Sequence, residues 1–228
     1  VRARASSILA IFSCFWLAGF ACLEQPPAVV NVYFNTHEPV FDNTLSSAGL
    51  EKFKVPGQYE AFHDGFTRGG IREATEFSPQ FVVTFDVVRD PVTANTCLSA
   101  EKIDISVDYK PKIHIASEYK PGSCRYTEIS RHEMQHVNTD ILAFEEFLPK
   151  MRIAAAAAVQ KMGVIGPLRD YEIMAGRGKM LEVVGKTLQA EADRLRSVVR
   201  ERQLKIDTRQ EYLRLSAACQ GEPIVGGN

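Results

Sequence analysis

The sequence lacks a surplus of charge of either sign: its 228 residues hold 27 Lys and Arg against 28 Asp and Glu. Binding a phosphate backbone takes an excess of basic residues, so nucleic acid is excluded as a main partner. The one basic gathering, Arg194 to Arg202, is interleaved with acidic residues and reads as a solvated helix face. No Cys-x-x-Cys pair occurs among the five cysteines, which excludes a cysteine-based zinc site or a dithiol redox motif. Beyond residue 22 there is no apolar run long enough to span a bilayer, and there is no internal repeat. What is present is an ordinary globular mixture, 45% apolar with a mean hydropathy of -0.13, able to bury a core without special staples.

The beginning of the chain has the pattern of an export signal. Arg2 and Arg4 precede an apolar run from Ile8 to Cys22, and Gly19 and Ala21 supply the small residues that signal peptidase needs. We expect residues 1–21 to be a signal peptide, 22–28 a Pro-containing linker, 29–220 a single domain and 221–228 a flexible tail. The initial valine fits a start codon other than ATG, as bacteria use. Lipid attachment at Cys22 is the alternative to plain cleavage. The expected location is periplasmic or secreted, with no transmembrane segment once the signal is removed. In an oxidising compartment cysteines pair. Cys97 and Cys124 flank the strand-rich centre and are the expected disulfide, leaving Cys219 to pair with Cys22 or stay free.

Periodicity divides the domain into a sheet followed by helices. Val29–Thr36, Phe81–Val88, Glu101–Tyr109 and Lys112–Ala116 read as strands, with Pro111 separating the last two. His114, between Ile113 and Ile115, is expected to face outward. Tyr59 to Gly70, with Gly69-Gly70 at its end, reads as a loop on the substrate side. From Thr127 to Leu148 the spacing is helical, with Thr127 as cap. Pro149 is expected to start a new helix through the alanine tract to Met162. Gly163–Pro167 and Gly176–Gly178 read as loops, Lys179–Leu204 as a long amphipathic helix and Gln210–Cys219 as a last short one. The fold class is therefore α+β: a small antiparallel sheet, then a motif-bearing helix and a helical C-terminal part.

That motif is His132-Glu133-Met134-Gln135-His136, an HExxH. Positions i and i+4 lie on one helix face, so His132 and His136 can address one metal ion. Two imidazoles suit zinc, and Glu133 beside the first can act on a zinc-bound water as base and then as acid.

On these residues the chain resembles the zincin metallopeptidases, in which a sheet precedes the HExxH helix and an edge strand holds the substrate extended. The resemblance implies that Glu101–Tyr109 and Lys112–Ala116 are the matching strands. In size, export, motif and following helices it also resembles a bacterial family of predicted secreted zinc-dependent proteases. Metzincins continue with a Gly and a third His, whereas Val137-Asn138-Thr139-Asp140 follows here, so that group is excluded. Asp140 shares the histidine face but lies about 9 Å along the axis from a metal centred between the two rings. It is better placed to orient His136. The secreted family carries a Tyr-Asp segment followed by Thr and His. Its nearest match is Ile206-Asp207-Thr208-Arg209-Gln210-Glu211-Tyr212, without the histidine. The resemblance implies Glu211 as third ligand, with Asp140 and Glu182 as alternatives, and Tyr212 as a group that steadies an oxyanion. The function it implies is zinc-dependent hydrolysis of a peptide or protein substrate. The alternative is a zinc-binding envelope protein of the same shape that has lost turnover.

Overall fold

The computed structural model describes residues 22–50, 69–72 and 79–221. The expected signal segment, the expected loop from Tyr59 as far as residue 68 and the tail beyond 221 lie outside them.

The architecture is α+β. Among the described residues seven strands form two sheets, the larger built around β5 (Thr96–Tyr109), whose inward positions Ile103, Ile105, Val107 and Tyr109 are almost fully buried. Strand β1 (Val29–Thr36) pairs with β5 in parallel, while β4 (Gln80–Arg89) and β7 (Ile165–Leu168) pair with it antiparallel. Pro111 cannot donate to a ladder, and β5 ends two residues before it. The chain resumes as β6 (Lys112–Ile115), the centre of a second sheet between β2 (Val40–Asp42, parallel) and β3 (Gly70–Arg72, antiparallel). The backbone bonds His37 N–H to Tyr109 and Val40 N–H to Pro111, each 3.0 Å, carry the parallel pairing from one sheet into the other. The sheets are thus mixed, which corrects the expected antiparallel sheet: β1 and β2 return to β5 and β6 only after intervening chain, and such long crossovers permit parallel pairing. His114 is also corrected. As part of a central strand it is 2% exposed and faces Asp42 of β2 at 3.4 Å.

Helix α1 (Cys124–Met162) starts at Ser123, whose side chain accepts from Tyr126 N–H at 3.2 Å, and stops at Gly163 with φ 64°. It does not break at Pro149. Losing one backbone bond costs about 3 kcal/mol, but Phe144, Phe147, Leu148, Met151 and Ala155 bury one continuous stripe on either side of that position. Each such side chain contributes about 1.5–3 kcal/mol when removed from water. The stripe meets β1 and β5, with Phe34 and Tyr109 rings 5.3 and 5.1 Å from Phe144. Its other neighbour is α2 (Ile173–Leu204), through Met180, Val184, Leu188, Ala192 and Leu195. Gly176 lies inside α2 and not in a loop: a Cβ there would stand 3.1 Å from Leu168 and 3.2 Å from Leu98, so the glycine lets the helix approach the sheet. A turn at 205–208 leads to α3 (Arg209–Ala218), capped by Thr208.

Two disulfides close the fold, Cys22–Cys97 and Cys124–Cys219. This corrects the expected Cys97–Cys124 pair. Cys97 lies at the start of β5, far along that strand from Tyr109, whereas Cys124 opens α1 at the end where α3 docks. Among the described residues, no helix is long and apolar enough to cross a membrane.

Candidate metal centre

The site forms where α1 meets the turn before α3. His132 and His136 lie one helical turn apart on the face of α1 turned to that turn, and both are buried. Their Nε2 atoms are 3.2 Å apart. The Oδ1 of Asp207 stands 3.3 Å from the first and 3.1 Å from the second. These three atoms form a nearly equilateral triangle, and the group can hold a metal ion. A tetrahedral ion with bonds of about 2.0–2.1 Å has its ligand atoms about 3.3–3.4 Å apart, so the triangle has the dimensions of one tetrahedral face.

The other nitrogen of each ring is also engaged. His132 Nδ1 is 3.4 Å from Glu211 Oε1. His136 Nδ1 donates to the side-chain carbonyl of Gln203. Asp207 accepts from the Tyr212 hydroxyl at 3.0 Å. Arg214 holds Glu211 at 2.7 and 2.8 Å and Glu128 at 2.9 Å, which fixes α3 against the first turns of α1.

The expected third ligand, Glu211, does not stand at the meeting point of the two imidazoles. Asp207, not Glu211, shares the point on which the two Nε2 atoms converge, because the turn before α3 brings its carboxylate there while Glu211, one turn on, reaches the outer edge of the His132 ring. Asp140 accepts from Tyr109 at 2.7 Å and from Gln203, whose amide also meets His136. Glu182 is exposed on α2 and pairs with Lys186. Tyr212 directs its hydroxyl to Asp207, not to an open position. The signal that could have found Asp207 is its place directly before Thr208, a residue type that caps helices. Gln203 carries no such signal, since a glutamine near the end of an amphipathic helix is usually solvated.

Electrostatics follow from this packing. Burial by itself would push the His136 pKa down, but the bond to Asp207 and the charges of Glu133 and Asp207 outweigh it and hold the pKa above the ordinary imidazole value. Burial would likewise raise Asp207, but bonds from both imidazoles outweigh it and hold the carboxyl well below the usual range. Arg214, foremost, keeps Glu211 ionised. A pH dependence follows. In the metal-free chain the raised His136 pKa contributes stability that is complete below about pH 6.5 and is lost as pH rises through the raised value. A metal must displace that proton, so apparent metal affinity should rise roughly tenfold per pH unit over the same interval and then level off. Chelator competition and thermal melts of the metal-free chain between pH 6 and 9 check the two opposite slopes.

Glu133 follows His132 on α1 and is buried against β3. A Cβ built on Gly70 would come within 3.0 Å of Glu133 Oε1 and 2.3 Å of Ile129 Cγ2. One built on Gly69 would stand 2.5 Å from Ile129 Cδ1. The Gly69-Gly70 pair thus lets the backbone of β3 lie directly on the helix beside the Glu133 carboxylate. Among the described residues it is β3, not Glu101–Tyr109 or Lys112–Ala116, that stands as an edge strand next to the motif: it pairs with β6 on one side, while β5 and β6 are central.

No protein-family model, no curated protein and no solved structure matches the chain.

Proposed function

We propose that the protein is an exported zinc metallopeptidase of zincin type, acting in the periplasm or outside the cell. The observation that carries the reading is the His132, His136 and Asp207 triangle, sized for one face of a zinc tetrahedron, with the Glu133 carboxylate on the neighbouring position of the same helix. Two imidazoles and one carboxylate with a fourth position left for water is a ligand set typical of catalytic zinc. Zinc, when bound, supplies acidification of water and polarisation of a peptide carbonyl. Glu133 then takes the proton of the attacking water and returns it to the departing amine. Tyr212 and Glu211 hold Asp207 and His132 in place. An extended peptide would lie along the edge of β3 that no described strand covers, where the backbone runs past Glu133.

Export is supported by the two disulfides, which persist in oxidising compartments. The bond from Cys22 to Cys97 favours a chain without a lipid anchor at Cys22, because a lipid thioether would need the same sulfur.

The second reading, a zinc-binding envelope protein without turnover, is favoured by the burial of the site: His132, Glu133 and His136 are 4%, 5% and 6% exposed.

Metal content of the purified chain after zinc loading and removal of excess tests the centre. A single zinc per chain is expected, lost in Asp207→Ala and retained in Glu211→Ala with affinity about 10–100-fold lower, as removal of a ligand's outer partner typically gives. No zinc in the parent would overturn the proposal. Gly70→Ala tests the place of β3. The added methyl must displace Ile129 or Glu133, so peptide hydrolysis should fall about a hundredfold while zinc stays bound.

A further inference from the structure

Gln203 is 4% exposed although it lies in the last turn of an otherwise solvated helix end. Its side-chain amide faces three groups. Nε2 donates to the backbone carbonyl of His136 at 3.0 Å and to Asp140 Oδ1. Both of these partners are acceptors only, so the amide can stand in one orientation, and its oxygen is left for His136 Nδ1. A carbonyl oxygen accepts and cannot donate, so His136 Nδ1 must carry a hydrogen. Its Nε2 lone pair is then directed at the point shared with His132 and Asp207. Asp140 is in turn fixed by the Tyr109 hydroxyl of β5. The backbone carbonyl of Gln203 also accepts from Ile206 N–H at 3.0 Å and Asp207 N–H at 3.3 Å, which closes the turn that presents Asp207.

We propose that Gln203 is the positioning residue of the metal centre: it selects the Nδ1–H form of His136 with its side chain and seats Asp207 with its backbone, registering α2 and the sheet against the motif helix. The consequence for metal rests on the reading of His132, His136 and Asp207 as ligands. A general role in packing would need only the volume of the side chain. The positioning role needs the amide oxygen opposite Nδ1 and a donor to Asp140.

The test uses the full exported chain and zinc as the probe. Gln203→Leu keeps the volume and removes the amide; zinc affinity by chelator competition should fall about 10–100-fold, the range for loss of a partner to a metal-bound histidine. A folded Gln203→Leu chain that binds zinc like the parent overturns the proposal. Nitrogen-edited NMR of the metal-free chain gives a reading that does not depend on metal. The Nδ1 proton should exchange slowly in the parent and rapidly in Gln203→Leu. Slow exchange in a parent that binds no zinc would sink the ligand reading and leave the Gln203–His136 bond standing. Rapid exchange in a parent that binds zinc would sink the role of Gln203 alone.

Discussion

Glu133→Gln should bind zinc as tightly as the parent and hydrolyse peptides about 10²–10⁴-fold more slowly, the usual worth of a positioned general base. The substitution is nearly isosteric. Glu133 is buried between the Gly69-Gly70 backbone and α1, and an amide fills the same space. It has no oxygen basic enough to take a proton from water. Bonds from Gln203, Glu211 and Tyr212 hold His136, His132 and Asp207 in the variant as in the parent, and metal content is the internal control. His136 would lose one nearby negative charge that helps to raise its pKa, so proton competition should weaken, and zinc affinity near neutrality should stay level or rise slightly. Activity is measured on a peptide library with both chains loaded to the same zinc content. A zinc-loaded Glu133→Gln chain as fast as the parent would refute the catalytic assignment. Zinc in both chains with hydrolysis in neither would establish the inert reading, and the burial of the site would then be the property of a closed centre.

The motif and the strands β1, β4, β5 and β6 were legible in the sequence because each rests on a local rule, whereas β7 falls where Gly163–Pro167 reads as a loop. Two histidines four apart share a helix face wherever that helix lies. Alternation in Glu101–Tyr109 marks a buried strand whichever neighbours it finds. The features that were not legible depend on tertiary packing. Pro149 reads as a helix boundary when only local propensity is weighed, yet the stripe from Phe144 to Ala155 carries α1 through it. Gly176 and Gly178 read as a loop, but Gly176 is where α2 needs to approach Leu98 and Leu168 closely. Choosing between Asp207 and Glu211 requires knowing that α3 begins at Arg209, which sets the first on the turn and the second one turn outward. Gln203 and Tyr109 enter the site from 67 residues after His136 and 31 before Asp140. No spacing rule joins positions so far apart. Cysteine pairing failed for the same reason, since position along the chain says little about which ends of the fold meet.

The second large effect concerns the bond between Cys124 and Cys219. It joins the first residue of α1 to the residue that caps α3, across 95 residues of chain. The histidines are on one side of that junction, and Asp207, Glu211 and Tyr212 are on the other. Non-covalent ties run beside it: Arg125 donates to the carbonyls of Leu215 at 2.7 Å, Ser216 at 3.0 Å and Cys219 at 3.3 Å, and Arg214 reaches Glu128. These bonds satisfy the end of α3 but are non-covalent, those of Arg125 largely buried and that of Arg214 exposed. The disulfide is the constraint that survives their opening. Removing a native bridge of this loop size costs about 2–5 kcal/mol, and here the cost falls on the contact that completes the metal triangle. A Cys124→Ser/Cys219→Ser chain should therefore melt well below the parent without metal and bind zinc at least tenfold more weakly. A Cys22→Ser/Cys97→Ser chain, altered at the opposite end of β5 from Tyr109, should lose stability but keep the zinc affinity of the parent whenever it is folded. Chelator competition at a temperature where all three chains are folded separates local loosening from global unfolding. Equal zinc affinity in the two double variants would mean that the non-covalent ties, those of Arg125, Arg214, Gln203 and Tyr212 among them, hold Asp207 in place without the disulfide. A selective loss in the first would tie assembly of the metal centre to oxidation of the chain, so that in a reducing compartment the same sequence would hold its two histidines without their carboxylate partner.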